Sequence, residues 1–215
     1  MEKTKYIAKT SFGLQEILEN ELKVLGAKDL TIYKRAVEFK GDKNLLYKAN
    51  LSLRTCLRIL QPLFNFTANN PEQLYKKVKE YSWNSFITPK DTIAIDGVVN
   101  SEFFTHSKYA ALKVKDAIVD QVRKETGNRP NVELKNPTYR LNLHIEQNNC
   151  SILLDSSGGS LHKRGYRING GAAPLNEVLA AGMIMLTGWD GKSNFVDPMC
   201  GSGTLIIEAL MIAKN

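Results

Sequence analysis

Residues 195–215, FVDPMCGSGTLIIEALMIAKN, read as a short strand, a glycine-bearing turn and the opening of a helix. Asn194–Asp197 makes the strand. Gly201 and Gly203 allow close backbone approach and dihedrals closed to other residues, and Thr204 is placed to cap the helix. Asp197 then falls at a strand's carboxyl end, where open α/β sheets bind ligands. A dinucleotide fingerprint asks for a third glycine where this chain has Ile206, so pyrophosphate is the less favoured ligand. Cys200 sits inside the turn and reads as a small packing residue rather than a nucleophile.

Upstream, APLNEVLAAGMIML (173–186) is an apolar helix whose Leu179, Ala180, Met183, Ile184 and Leu186 read as core. Before it, SLHKRGYR (160–167) packs His162, Lys163, Arg164, Tyr166 and Arg167 into eight residues. Basic side chains around an aromatic ring suit phosphate contact with base stacking. Equally, Gly165 makes a turn there and the arginines tie the segment to nearby carboxylates.

The N-terminal part has a different texture. KYIAKT alternates as a strand, and Leu14, Ile17, Leu18, Leu22 and Leu25 share one helical face ended by Gly26. DLTIYKRAVEFKG reads as two strands bending around Lys34–Ala36, followed by a helix in NLLYKANLSLRTC and a strand in RILQPLFNFTA. Residues 1–66 thus follow β-α-β-β-α-β, the ferredoxin-like order. Asn69-Asn70-Pro71 opens a second α/β unit, 67–158. It holds a helix from Pro71, a strand TIAIDGVV, and a long helix whose Ala110, Ala111, Val114, Ala117, Ile118 and Val122 make the buried stripe. Lys108, Lys113, Lys115, Arg123 and Lys124 lie largely off that stripe. Two strands joined at Gln147–Asn149 close the unit, with His144 as a half-buried strand residue. Residues 159–215 form a third region, a linker and the first elements of another domain.

Composition narrows the class. The 215 residues are 43% hydrophobic and 24% charged, ordinary for a globular chain, and no run reaches the roughly 18 apolar residues of a membrane span. Cys56, Cys150 and Cys200 are far apart and never in a CxxC pair, and His106, His144 and His162 have no ligand-like spacing. The expectation is a metal-free cytoplasmic protein with no export signal and no obligate protein partner. Residues 1–158 hold 24 Lys+Arg against 18 Asp+Glu, whereas 159–215 hold 5 against 4. A basic surface attracts phosphate backbones, but it is also what a solvated lysine-rich surface looks like.

LDSSGGSLHKRGYR (154–167), APLNEVLAAGMIMLTGW (173–189) and FVDPMCGSGTLIIEA (195–209), in that order, resemble the junction of the THUMP-domain RNA methyltransferases. The resemblance is to the bacterial branch assigned to guanine-N2 methylation of large-subunit ribosomal RNA, and it runs through essentially the whole chain. It implies an α+β architecture: a ferredoxin-like N-terminal domain, a THUMP α/β RNA-binding domain, then the start of a Rossmann-like methyltransferase domain. The implied cofactor is S-adenosyl-L-methionine, held by Asp197, Pro198, Met199, Cys200, Gly201, Ser202, Gly203 and Thr204, with Pro174, Leu175, Asn176 and Glu177 beside them. Asp197 faces the cofactor's amino-acid end or organises the loop that does, and the Gly201–Thr204 amides meet its carboxylate. The implied partner is RNA, ribosomal first and transfer RNA second, touched by the basic residues of 108–124 and 162–167. A non-catalytic THUMP RNA-binding module is the alternative from another class.

Two lookalikes fall away. NPTY (136–139) is similar to the base-gripping tetrapeptide of amino-methyltransferases, but precedes the glycine turn and leads into a strand. SSGGS (156–160) is similar to the ATP loop of thiouridine synthetases without its aspartate. A complete Rossmann-like domain takes roughly another 100–150 residues. The expectation is therefore that the ribose-holding acid and the base-holding tetrapeptide lie beyond Asn215, and that these residues alone are inactive.

Overall fold

The computed structural model describes residues 3–167 and 174–214. They form two compact units, one of residues 1–59 with 159–215 and one of residues 60–158.

The first unit opens with strand β1 (Thr4–Lys9), helix α1 (Gln15–Val24), strands β2 (Lys28–Tyr33) and β3 (Ala36–Gly41), and helix α2 (Lys43–Ser52). Strand β4 (Arg58–Thr67) begins here, and its residues from Leu60 onward belong to the second unit. The expected ferredoxin-like order is found: β3 pairs antiparallel with both β1 and β2, giving β2-β3-β1 with β4 next to β1. Local chemistry sets the element ends. Gly26 N–H donates to Lys23 O and Ala27 N–H to Leu22 O, the paired bonds that close α1. Asp42 Oδ1 accepts Leu45 N–H at 2.8 Å and caps α2. Tyr6, Ala8, Leu18, Leu22, Val37 and Phe39 fill the core.

The same unit holds helices α5 (Glu177–Leu186) and α6 (Thr204–Ala213). Leu161 N–H donates to Leu57 O at 2.9 Å and its side chain packs on the ferredoxin-like core. Gly182 of α5 lies against Leu14, so close that a Cβ there would sit 2.4 Å from Leu14 Cδ1. Ala180 and Ile184 are buried as expected, but Leu179, Met183 and Leu186 are 38%, 37% and 62% exposed and are not core. An all-apolar helix carries no periodic signal for which face turns inward.

The second unit adds helix α3 (Pro71–Lys79), a 3-10 turn at Trp83–Ser85, β5 (Thr92–Asn100), helix α4 (Ser107–Thr126), a two-residue strand β6 (Asn131–Val132), β7 (Tyr139–Glu146) and β8 (Asn149–Asp155). Within it the strand order is β4-β8-β7-β5-β6. β5 and β7 run parallel across the α4 crossover, while β7 and β8 form a hairpin that turns at Gln147 with φ of 53°. The predicted α4 stripe is buried throughout, joined by Val119 and Gln121. Trp83 is fully buried, its indole N–H donating to Val78 O at 2.7 Å. His144 is half-buried on β7, as read from its alternation. Among the described residues no helix is long and apolar enough to cross a membrane, and no group of three His, Cys, Asp or Glu could hold a metal ion.

Candidate functional site

The glycine turn forms in the first unit, with differences from its expected flanks. Asn194–Asp197 is not a strand: a strand exists through its ladder, and this segment has no partner among the described residues. Asp197 Oδ1 accepts Met199 N–H at 3.1 Å, so this carboxylate organises its own loop. Gly203 N–H donates to Cys200 O at 2.7 Å, and Gly201 and Gly203 take φ of 53° and 74°. Neither has an atom within 4 Å of where a Cβ would sit. Pro198, Met199, Cys200 and Ser202 are exposed, so Cys200 is not a packing residue; the turn projects outward and gives it nothing to pack against.

Thr204 is not the cap of α6. Gly203 holds that position without a side-chain bond, and Thr204 is the first helical residue, buried, its Oγ1 accepting from Arg167 at 2.9 Å. The helical backbone begins at Thr204 itself, one residue earlier than a Thr204 cap requires. At α5, Asn176 is the cap, its Oδ1 accepting Leu179 N–H at 3.2 Å. Pro174 is exposed and Leu175 offers its carbonyl to Arg167 at 2.5 Å. Glu177 is buried, 3.1 Å from Arg167 Nε, and is committed to that ion pair.

The 160–167 segment takes the tying arrangement. Arg164 Nε lies 3.1 Å from Glu208 Oε1, Nη1 donates to Leu161 O at 3.1 Å, and Nη2 donates to Arg54 O at 2.6 Å. Tyr166 Oη donates to the same Glu208 oxygen at 3.2 Å. Burial first, then the Glu208 charge, push the Tyr166 phenol up to about 12. His162 Nδ1 is 2.7 Å from Ser160 Oγ, and burial lowers its pKa. Arg164, Tyr166 and Arg167 are thus turned inward, and Lys163 is the exposed cation of the segment. Their partners, Glu208 and Glu177, lie in apolar helices where sequence periodicity marks them only as interruptions.

On α4, Lys115 pairs with Asp116 at 2.5 Å and Arg123 with Asp120 at 2.8 Å, while Lys113 Nζ stands 5.6 Å from the Tyr109 ring centre. Lys108 and Lys124 are exposed and form no ion pair among the described residues. The sequence reading missed a second basic surface. Lys3, Lys28, Lys40 and Lys48 line a cavity of about 460 Å³ in the first unit, with Asp42 its one acidic lining residue. Their spacing in the chain shares no helix face and gives no local signal.

Comparison with known proteins places these features. An RlmL ferredoxin-like domain matches residues 5–60, a THUMP domain residues 68–155, and an RMKL-like methyltransferase domain residues 164–215. A ribosomal RNA large subunit methyltransferase K/L of Syntrophotalea carbinolica is 41% identical over 215 residues, covering 98% of this chain and 30% of that protein. A putative RNA methyltransferase of Synechocystis sp. is 41% identical over 210 residues, covering 98% and 55%. Among solved structures, a predicted N6-adenine-specific DNA methylase from Listeria monocytogenes superposes with a TM-score of 0.86 at 30% identity, covering all of this chain and 56% of that one. A putative methyltransferase complexed with SAH, SMU.472, gives 0.85 at 29%, covering all of this chain and 57% of the other. The chain spans between about a third and just over half the length of the relatives it matches.

Proposed function

We propose that this chain is part of a THUMP-domain methyltransferase and supplies the RNA-binding part and the amino-acid end of the cofactor site of an S-adenosylmethionine-dependent RNA methyltransferase. The observation that carries the reading is the open Asp197–Gly203 turn leading into an α6 with no side-chain cap. The first-turn amides of such a helix, with the dipole behind them, favour an anion. The cofactor's carboxylate would be held there, and the Asp197 carboxylate would meet its ammonium. S-adenosylmethionine would supply an electrophilic methyl group; the chain's own part is to hold the donor and bring RNA to it.

The acceptor we assign is an exocyclic ring amine, guanine N2 of large-subunit ribosomal RNA. One relative's name speaks of large-subunit ribosomal RNA and another of RNA, and the DNA methylase name speaks of a base amine, adenine N6; guanine as the base rests on the family resemblance. Such an amine needs no covalent adduct, only a lone pair in line with the methyl and an acceptor for the proton. Three modules, 1–66, 67–158 and 159–215, serve this division of labour in a cytoplasmic protein. RNA contact falls to Lys108, Lys113, Lys124 and Lys163, while Arg164, Tyr166 and Arg167 hold the scaffold.

The experiment has two arms on the 215-residue chain. Calorimetry with S-adenosylhomocysteine tests the turn, and filter binding to 23S ribosomal RNA fragments and to transfer RNA tests the arm. Binding of ribosomal fragments that weakens with salt, with a slope lowered by about 0.9 for each phosphate-contacting lysine removed among Lys108, Lys113 and Lys124, is the expected result. Preference for transfer RNA would move the substrate, RNA binding without cofactor binding would leave a binding module, and an unchanged salt slope would remove α4 from the interface.

A further inference from the structure

Arg167 stands where a cation is ordinarily unwelcome. One guanidinium nitrogen, Nη2, donates to Leu175 O at 2.5 Å, one residue ahead of the α5 cap, and to Thr204 Oγ1 at 2.9 Å, in the first turn of α6. It therefore bridges the N-terminal ends of two helices, whose dipoles repel positive charge. Glu177 compensates from the first turn of α5: its Oε1 is 3.1 Å from Arg167 Nε, as an ion pair without hydrogen-bond alignment. The arginine and the glutamate side chains are 22% and 7% exposed, so the pair is poorly screened.

The contact continues into the glycine turn. Thr204 Oγ1 accepts from Arg167, so its own proton is free to point elsewhere, and Ser202 Oγ lies 3.3 Å away. Ser202 is the residue between Gly201 and Gly203. A backbone with two positive-φ glycines has little intrinsic preference for one shape, and the glycines find no packing there. Besides the Gly203 N–H to Cys200 O and Met199 N–H to Asp197 Oδ1 bonds, what restrains it is the line from Arg167 through Thr204 to Ser202.

We propose that Arg167 is a positioning residue for the cofactor turn. Through Thr204 and Ser202 it holds the Gly201–Thr204 amides in one arrangement. This assignment rests on the reading of the turn as the S-adenosylmethionine site, and it removes Arg167 from the RNA contacts expected of the 162–167 stretch. Ligand affinity here is a matter of preorganisation: a turn ordered in advance spares the ligand the cost of ordering it.

The test uses Thr204→Val, which keeps shape and removes the acceptor, with Thr204→Ser as the conservative rescue. S-adenosylhomocysteine is titrated by calorimetry, and amide exchange over residues 199–207 is followed by mass spectrometry. T204V is expected to lose about tenfold in affinity, the equivalent of one hydrogen bond of about 1.4 kcal/mol. Exchange should quicken over 199–204 while β1 and β3 stay as protected as before, and T204S should restore both readouts. Should T204V lower the stability of the whole unit, Arg167→Lys, which keeps the charge beside Glu177 but ends one bond short of the place of Nη2, gives the same pattern. Wild-type affinity with unchanged exchange in T204V and R167K overturns the proposal. If the wild-type chain takes up no S-adenosylhomocysteine, the cofactor reading fails, and the exchange comparison still decides whether Arg167 orders the turn.

Discussion

Replacing Arg164 tests how residues 160–167 are held. Glu208 is fully buried, and its Oε2 has no hydrogen-bond partner, so its charge is compensated at Oε1 alone. There Arg164 Nε at 3.1 Å and Tyr166 Oη at 3.2 Å are the two donors. Arg164→Ala leaves that carboxylate with the phenol and also strips donors from Leu161 O and Arg54 O. Breaking one side of a buried ion pair costs about 3–5 kcal/mol, a large part of a domain's stability of about 5–15 kcal/mol. With an m-value near 1.5 kcal/mol/M, the urea midpoint of the first unit should fall by about 2–3 M. The chain has two tryptophans, Trp189 in the first unit and Trp83 in the second, so fluorotryptophan labelling reads the units separately by 19F NMR. The Trp189 transition should move and the Trp83 transition should not. The double change R164M/E208L should recover most of the loss, because an apolar pair of similar volume carries no desolvation cost. A cost below about 1 kcal/mol for R164A, or a double variant no better than the single one, would refute the argument.

Other consequences are open to simpler measurements. Gly182→Ala should lower the thermal midpoint of the first unit although alanine is the better helix former by about 1 kcal/mol, because the new Cβ would meet Leu14 Cδ1 and Cδ2 at 2.4 and 2.6 Å. A more stable G182A would mean that Leu14 yields freely. Tyr166 titrates up to about 12 in the fold against an ordinary value near 10, so the unfolded chain loses its proton first as pH rises. Stability should therefore fall between about pH 10 and 12, and Tyr166→Phe should lack that component in alkaline urea titrations. Asn70→Ala removes the α3 cap, whose Oδ1 accepts Gln73 N–H at 2.9 Å, and should cost the second unit about 1 kcal/mol in chemical denaturation.

What could be read from the sequence was whatever the chain determines within a few residues of itself. The ferredoxin-like element order, the α4 stripe from Ala110 to Val122, the α1 ending at Gly26 and the φ-permissive turn at Gly201 and Gly203 all rest on local periodicity or local dihedral freedom. Tertiary structure decided matters of partnership. A run such as HKRGYR carries the same letters whether its cations face solvent or a carboxylate 44 residues away, as Arg164 faces Glu208. Beyond Glu177 the apolar α5 could present any face to Leu14, and Asn194–Asp197 lacks a neighbouring strand among the described residues, which a ladder requires. Pairing energy depends on which remote group stands opposite and how dry the contact is, and neither quantity is encoded in the spacing of a segment along the chain.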